Sequence, residues 1–363
     1  MCGRHQLMSL TDHLRSPRDP IRAYFDLWLS EYGELKAQWR ELGSIRFFPD
    51  FDVKWPSVVG MALDYRIRFF FEHYDAKDTV AARGAYFHKD SFAKIRDGIE
   101  KLLNTEPPQG RILSDKAEEL LLQYCYVLAL YEVDARASWY DSPLRTLRHN
   151  GVKAQLNRVP QNDLLDLKEL TVAAHRAFEP LMGQPFHLNP TFSDSPLVHG
   201  ADGDIIVGRN LIEIKAEKDG FRSNRIRQVV IYALLDSIGE YDLDECSIYM
   251  ARWGKLLTWN LDNLIRQMSD GRFNYVEFRL KYHDWLLEVK RQYEQEETRQ
   301  RNLDEILKPG RDELRRISEE HQSAREKGDR NLQIDESRRE SGTVIPLRGL
   351  LHVRNSPILT RAA

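Results

Sequence analysis

Acids and a lysine interrupt an otherwise apolar stretch, GADGDIIVGRNLIEIKA, from Gly200 to Ala216. Asp204 opens one apolar run, Glu213 and Lys215 sit inside the next, and Gly208-Arg209 lies between them. Two residues bracketed by alternating apolar positions read as a β-hairpin, and glycine at the first turn position suits a type II′ turn. That register sets Val207 opposite Asn210, Ile205 opposite Ile212 and Asp204 opposite Glu213. Alternation gives Ile205, Val207, Ile212 and Ile214 one face, and Asp204, Glu213 and Lys215 the other. Facing carboxylates repel unless a cation relieves them. Oxygens of Asp204 and Glu213, with the Ile214 backbone carbonyl, suit Mg²⁺, for which Mn²⁺ can substitute. An ion there lowers the pKa of water enough to make it a nucleophile at neutral pH. Lys215, one pleat away, can orient that water, help deprotonate it or steady charge on a phosphate. The chemistry expected is metal-dependent phosphodiester hydrolysis. Asp202 shares the strand parity of Asp204 and is the alternative ligand.

The elements that must hold these residues follow from periodicity. Strands are expected at Asp204–Val207 and Leu211–Lys215, a helix through RSNRIRQVVIYALLDSIGEY, and two more strands in ECSIYMARWGKLLTWNL. Upstream, QNDLLDLKELTVAAHRAF keeps Leu164, Leu167, Leu170, Ala174 and Ala177 on one helical face, with Asp166 and Glu169 elsewhere. HLNPTFSDSPLVHG reads as loop with an edge strand. This order predicts an α/β core, a mixed sheet flanked by helices, over 111–283. Residues 1–110 read as a mostly helical region that includes SVVGMALDYRIRFFFEHYD, and 114–140 as the clearest long helix. From 284 to 363 both charge signs crowd a chain poor in apolar residues. That part predicts charged, solvated helices broken at Pro309-Gly310 and a flexible end.

With Asp204 and Glu213-Ile214-Lys215 as its signature, the chain resembles the PD-(D/E)XK nuclease superfamily. In RIRQVVIYALL, Gln228 and Tyr232 stand one helical turn apart on the face of Arg225. They are similar to the Q-x(3)-Y motif of the RecB-like and Cas4-like branch, which implies that the glutamine supports the active site. The block from NPTF to KLLTW resembles uncharacterised bacterial members, and VVGMALDYRIRF near residue 60 is similar to part of the same pattern. The resemblance implies a restriction-endonuclease-like core, a Mg²⁺-dependent DNA nuclease and a place in bacterial defence or DNA processing. It also implies a further acid on the helix before the sheet, for which Glu169 and Glu179 are the candidates. Cas4-like relatives hold a four-cysteine iron–sulfur cluster, which the three cysteines here cannot build.

The 363 residues carry a net charge of −3, so a polyanion would be met by a local basic patch rather than a global field. Arg209, Lys218, Arg222, Arg225 and Arg227 are the expected contacts to nucleic-acid phosphates. Arg252, Trp253 and Lys255 fall in the turn between the last strands, where Trp253 could stack on an unpaired base. DNA is the expected partner, RNA is a further candidate, and an ATPase, a helicase or a second copy could dock on the charged or aromatic regions. No segment reads as a signal peptide or a membrane span, so a cytoplasmic protein is expected. Cys125 reads as a buried hydrophobe, and His175, His187 and His199 show no ligand spacing. Two rival readings stand: a catalytically silent scaffold or nucleic-acid-binding subunit on the same fold, and a Cys2 nucleophile suggested by the opening MCGR.

Overall fold

The structure, a computed structural model, describes residues 10–16, 19–43, 51–72, 74–136, 152–198, 200–218 and 222–340. Cys2, His199 and the C-terminal segment expected to be flexible lie outside these residues. In chain order the helices are α1 (Leu10–Arg15), α2 (Pro20–Trp28), α3 (Gly33–Gly43), α4 (Pro56–Phe71), α5 (Val80–Gly84) and α6 (Lys89–Thr105), then α7 (Asp115–Arg136), α8 (Val152–Leu156) and α9 (Gln161–Phe178). The strands are β1 (Phe186–Leu188), β2 (Ile205–Val207), β3 (Asn210–Lys215), β4 (Glu245–Met250) and β5 (Lys255–Asn260). Helix α10 (Ser223–Leu235) crosses between β3 and β4, and α11 (Leu261–Met268) and α12 (Tyr275–Glu340) follow the sheet.

The five strands form one mixed sheet in sequence order, and β3 and β4 are its parallel pair. A parallel neighbour needs a long crossover, and α10 supplies it. The hairpin has the register expected from alternation, with Ile205 opposite Ile212 and Val207 opposite Asn210. Gly208 turns it at φ 62°, a conformation that few other residues adopt without strain. β1 is the edge strand expected before the hairpin and pairs antiparallel with β2.

Each face of the sheet closes a separate core. Ile205, Val207, Ile212 and Tyr249 pack with α4, α7 and α9. Ile206, Leu211, Cys246, Ile248 and Met250 pack with α10, α11, the start of α12 and the short N-terminal helices. The first core is drawn together by Phe69, Phe70, Leu121 and Leu167, all essentially inaccessible. Burying each such side chain is worth about 1.5–3 kcal/mol. A buried ion pair fixes α4 against α7, with Arg66 Nε 2.6 Å from Glu118 Oε1. The division expected at residue 110 therefore separates nothing, because α4 shares a core with the sheet. Met1–Lys290 forms one compact unit and Arg291–Ala363 a second.

Two expectations about helices are corrected. Periodicity puts Asp166 off the apolar face of α9, yet it is buried with Arg252, its oxygens 2.5 and 2.7 Å from the two Nη atoms. An acid can occupy a core position when a guanidinium satisfies both its oxygens. The helix α12 also runs through Pro309 instead of breaking there. Proline inside a helix forfeits one backbone hydrogen bond at about 3 kcal/mol, a loss a single long helix can absorb. Among the described residues, no helix is long and apolar enough to cross a membrane.

Candidate metal-dependent active site

The signature residues meet where β2 begins and β3 ends. Asp204 lies one residue before β2, and its Oδ2 accepts a hydrogen bond from the Ile214 N–H at 2.7 Å. Continuing the hairpin register places it beside Glu213, whose side chain is buried. Lys215 Nζ donates to Glu213 Oε1 at 2.6 Å. These residues line a cavity of about 730 Å³ with Asp202, Asn189, Ala216, Glu217, Lys218 and Arg252. Its opposite wall is α4, through Ser57, Gly60, Met61, Asp64, Tyr65 and Arg68.

Helix α4 brings a further acid to the cavity, where sequence reasoning expects one at Glu169 or Glu179. Asp64 faces Asp204 and Glu213 closely enough for each to act on the others electrostatically. Glu169 and Glu179, on α9 and just beyond it, do not line the cavity. The available signal is position: Asp64 is the acid within VVGMALDYRIRF, the segment whose resemblance sets it apart. Gly60 makes the approach possible, since a Cβ there would lie 3.2 Å from the Ala216 Cβ just past β3.

Burial and mutual repulsion shift the Glu213 and Asp64 carboxyls of the cluster together. Burial raises the Glu213 carboxyl well above its ordinary range, and the charge of Asp204 raises it further, outweighing Lys215. Burial also raises Asp64, with Asp204 and Glu132 adding to it against the pull of Arg68. Burial pulls Lys215 down, but Glu213 and Asp204 more than offset it and hold the ammonium above its usual value. Glu213 Oε2 and Asp64 Oδ1 are buried without a hydrogen-bond partner.

Among the described residues, no group of three or more His, Cys, Asp or Glu side chains converges as a metal-holding cluster. The reason is visible in the contacts. Glu213 is turned onto Lys215, Asp64 is paired with Arg68, and Asp204 is held by the Ile214 amide. The donor set nevertheless fits a hard divalent ion: three carboxylates, two of them with an unpartnered buried oxygen, beside the backbone of Ile214. Asp202 also lines the cavity, but it is exposed and pairs across an isolated bridge with Thr191, so Asp204 is the better placed of the two.

Gln228 and Tyr232 form a unit on α10, the Gln228 Nε2 donating to Tyr232 Oη at 2.9 Å. Tyr232 is buried, its hydroxyl pKa raised by that burial and by the nearby Glu213 and Asp204. The pair therefore stands next to the carboxylates without lining the cavity.

The expected phosphate contacts divide. Lys218 lines the cavity, and Arg222 is exposed where α10 begins. Arg225 and Arg227 are buried instead. Arg225 pairs with Glu217 at 2.5 Å, while Arg227 pairs with Asp26 and donates to Tyr32 Oη at 2.8 Å. Counting charges does not reveal that acids elsewhere in the chain have already claimed them. Arg209 is exposed at the far end of the hairpin, paired with Asp242 and Asp244 at 3.2 and 3.1 Å, and does not line the cavity. Arg252 does line it, but its Nε holds the Ala216 carbonyl at 3.1 Å and its Nη atoms hold Asp166. Trp253 packs partly buried against the α10-side core. Cys125 and Cys246 are buried on opposite faces of the sheet.

No family model, no curated protein and no solved structure matches this chain.

Proposed function

We propose that this chain is a metal-dependent nuclease with a restriction-endonuclease-like core, hydrolysing phosphodiester bonds of DNA. The observation that carries the reading is the meeting of Asp64, Asp204, Glu213 and Lys215 around one cavity, with Glu213 Oε2 and Asp64 Oδ1 buried and unpartnered. Asp204, Glu213, Asp64 and the Ile214 carbonyl would hold Mg²⁺ or Mn²⁺, which when bound supplies charge that activates water and offsets the phosphate. Lys215 is a fixed cation whose Nζ can turn from Glu213 to an oxygen of the phosphate or of the attacking water. Asp204 is kept in place by the Ile214 amide, so the hairpin itself sets its position. Gln228 and Tyr232 brace that end of the sheet from α10. Lys218, in the cavity wall, and Arg222, exposed where α10 begins, are the basic residues placed to meet flanking phosphates. A role in bacterial defence or DNA processing rests on the superfamily resemblance alone.

The test is digestion of linear, circular and single-stranded DNA, and of RNA, with Mg²⁺ or Mn²⁺. Cutting by the wild type that is absent in Glu213→Gln supports the reading; no cutting of any substrate contradicts it. One observation favours a second reading, a catalytically silent scaffold: every carboxylate of the cluster already has an internal partner. Calorimetric titration with Mn²⁺ separates the two, since a scaffold of this kind gives no binding heat.

A further inference from the structure

One cation in the cavity wall has a donor to spare. Arg68, on α4, is 7 % exposed. One Nη pairs with the Asp64 carboxylate and the other donates to Tyr74 Oη at 3.0 Å. Its guanidinium carbon lies 5.3 and 5.4 Å from the ring centroids of Tyr65 and Tyr74. Tyr74 Oη is itself held by Asn189 Nδ2 at 3.0 Å, and Asn189 also lines the cavity. The side chain is thus fixed on several sides.

Its Nε–H is not. That atom is buried and has no acceptor. A buried donor left unmet is destabilising, and more so when it is charged. Such an atom in a native protein calls for an explanation, and a ligand that brings the acceptor is one. The nearby acids leave it unmet, although Asp64 Oδ1 is itself without a partner. Asp64 is already engaged by the Nη, and Glu132 accepts from Tyr65 Oη at 2.8 Å.

Residues lining the same cavity thus carry two unmet acceptors, Glu213 Oε2 and Asp64 Oδ1, and one unmet cationic donor, Arg68 Nε, all three buried. A ligand satisfying both kinds at once carries anionic oxygens and travels with a divalent cation. A phosphate ester does so, and a guanidinium fork matches its oxygens. We propose that Arg68 binds a phosphate of the substrate through Nε–H and the Nη that now faces Asp64, leaving Asp64 to the cation. This rests on the phosphodiesterase reading and adds to it a phosphate ligand from α4, on the wall opposite Lys215.

The test uses the full chain and thymidine 5′-phosphate as probe, titrated calorimetrically with Ca²⁺ present. Arg68→Lys keeps a cation beside Asp64 but loses the fork. It is expected to bind the probe at least about tenfold more weakly than the wild type. Equal probe binding by Arg68→Lys and wild type overturns the proposal. Should that variant fail to fold, the wild-type arginine Nε–H resonances decide. A signal that shifts and exchanges more slowly when probe and Ca²⁺ are added upholds the assignment, and unmoved signals overturn it. A wild type that cuts DNA but binds no probe overturns the Arg68 site while leaving the nuclease standing. A wild type that neither binds Mn²⁺ nor cuts removes both.

Discussion

Lys215 Nζ stands 2.6 Å from Glu213 Oε1, while Oε2 of the same buried carboxylate has no hydrogen-bond partner. A lysine has satisfied half of the acid and left the other half for something else. In a metal-dependent nuclease that something is a divalent cation. It should stabilise the folded chain by mass action, about 2.7 kcal/mol at a hundred times its dissociation constant. Thermal unfolding with and without Mn²⁺ is expected to show a rise for the wild type and none for Glu213→Gln.

Without metal, stability should fall as pH rises through neutrality. Glu213 is raised to about 8 and Asp64 to about 7. In the unfolded chain both titrate near 4. Folding therefore takes up protons between these values, and the contribution of both groups to stability is lost as pH climbs from about 4 to about 8. Denaturant unfolding in EDTA across this range checks the slope. Glu213→Gln should flatten it and be the more stable protein at pH 8, a dead site on a firmer scaffold.

Gly60 is expected to control metal binding from outside the ligand set. A Cβ there would stand 3.2 Å from Ala216, so valine must push α4 away from β3 and carry Asp64 with it. Gly60→Val should weaken Mn²⁺ binding by about tenfold or more, the scale of a displaced supporting group at a metal site. Calorimetric titration of the folded variant is the check.

Arg227 and Arg222 should behave as different kinds of residue. Arg227→Ala removes a buried guanidinium from the half-exposed Asp26 and from Tyr32 and is expected to cost about 1–3 kcal/mol of stability. Arg222→Glu sits on the surface and should leave unfolding within about 0.5 kcal/mol of wild type. It should instead weaken DNA binding and flatten its salt dependence. Unfolding curves and binding at several salt concentrations decide.

How much of the fold and site is legible in the sequence depends on the range of the forces involved. The hairpin is legible, down to Ile205 facing Ile212, because alternation and a glycine turn are local. The closeness of Gln228 to Tyr232 is legible because helical spacing alone sets it. Asp64 is not, because about 140 residues separate it from Asp204 and only the packing of α4 on the sheet unites them. The burial of Arg225, Arg227 and Asp166 stays hidden for the same reason. Each is a charged residue whose partner, Glu217, Asp26 or Arg252, is a tertiary fact. Local periodicity assigns such residues to solvent.

The most direct measurement is cleavage of linear, circular and single-stranded DNA in Mg²⁺ and in Mn²⁺ by the wild type and by Lys215→Ala. Metal-dependent cutting is expected, falling by about 10²–10³ in the variant, as when one fixed donor is removed from a charged transition state. Cutting that persists without metal, or that Lys215→Ala performs as well as the wild type, would contradict a metal-dependent site built on Glu213 and Lys215.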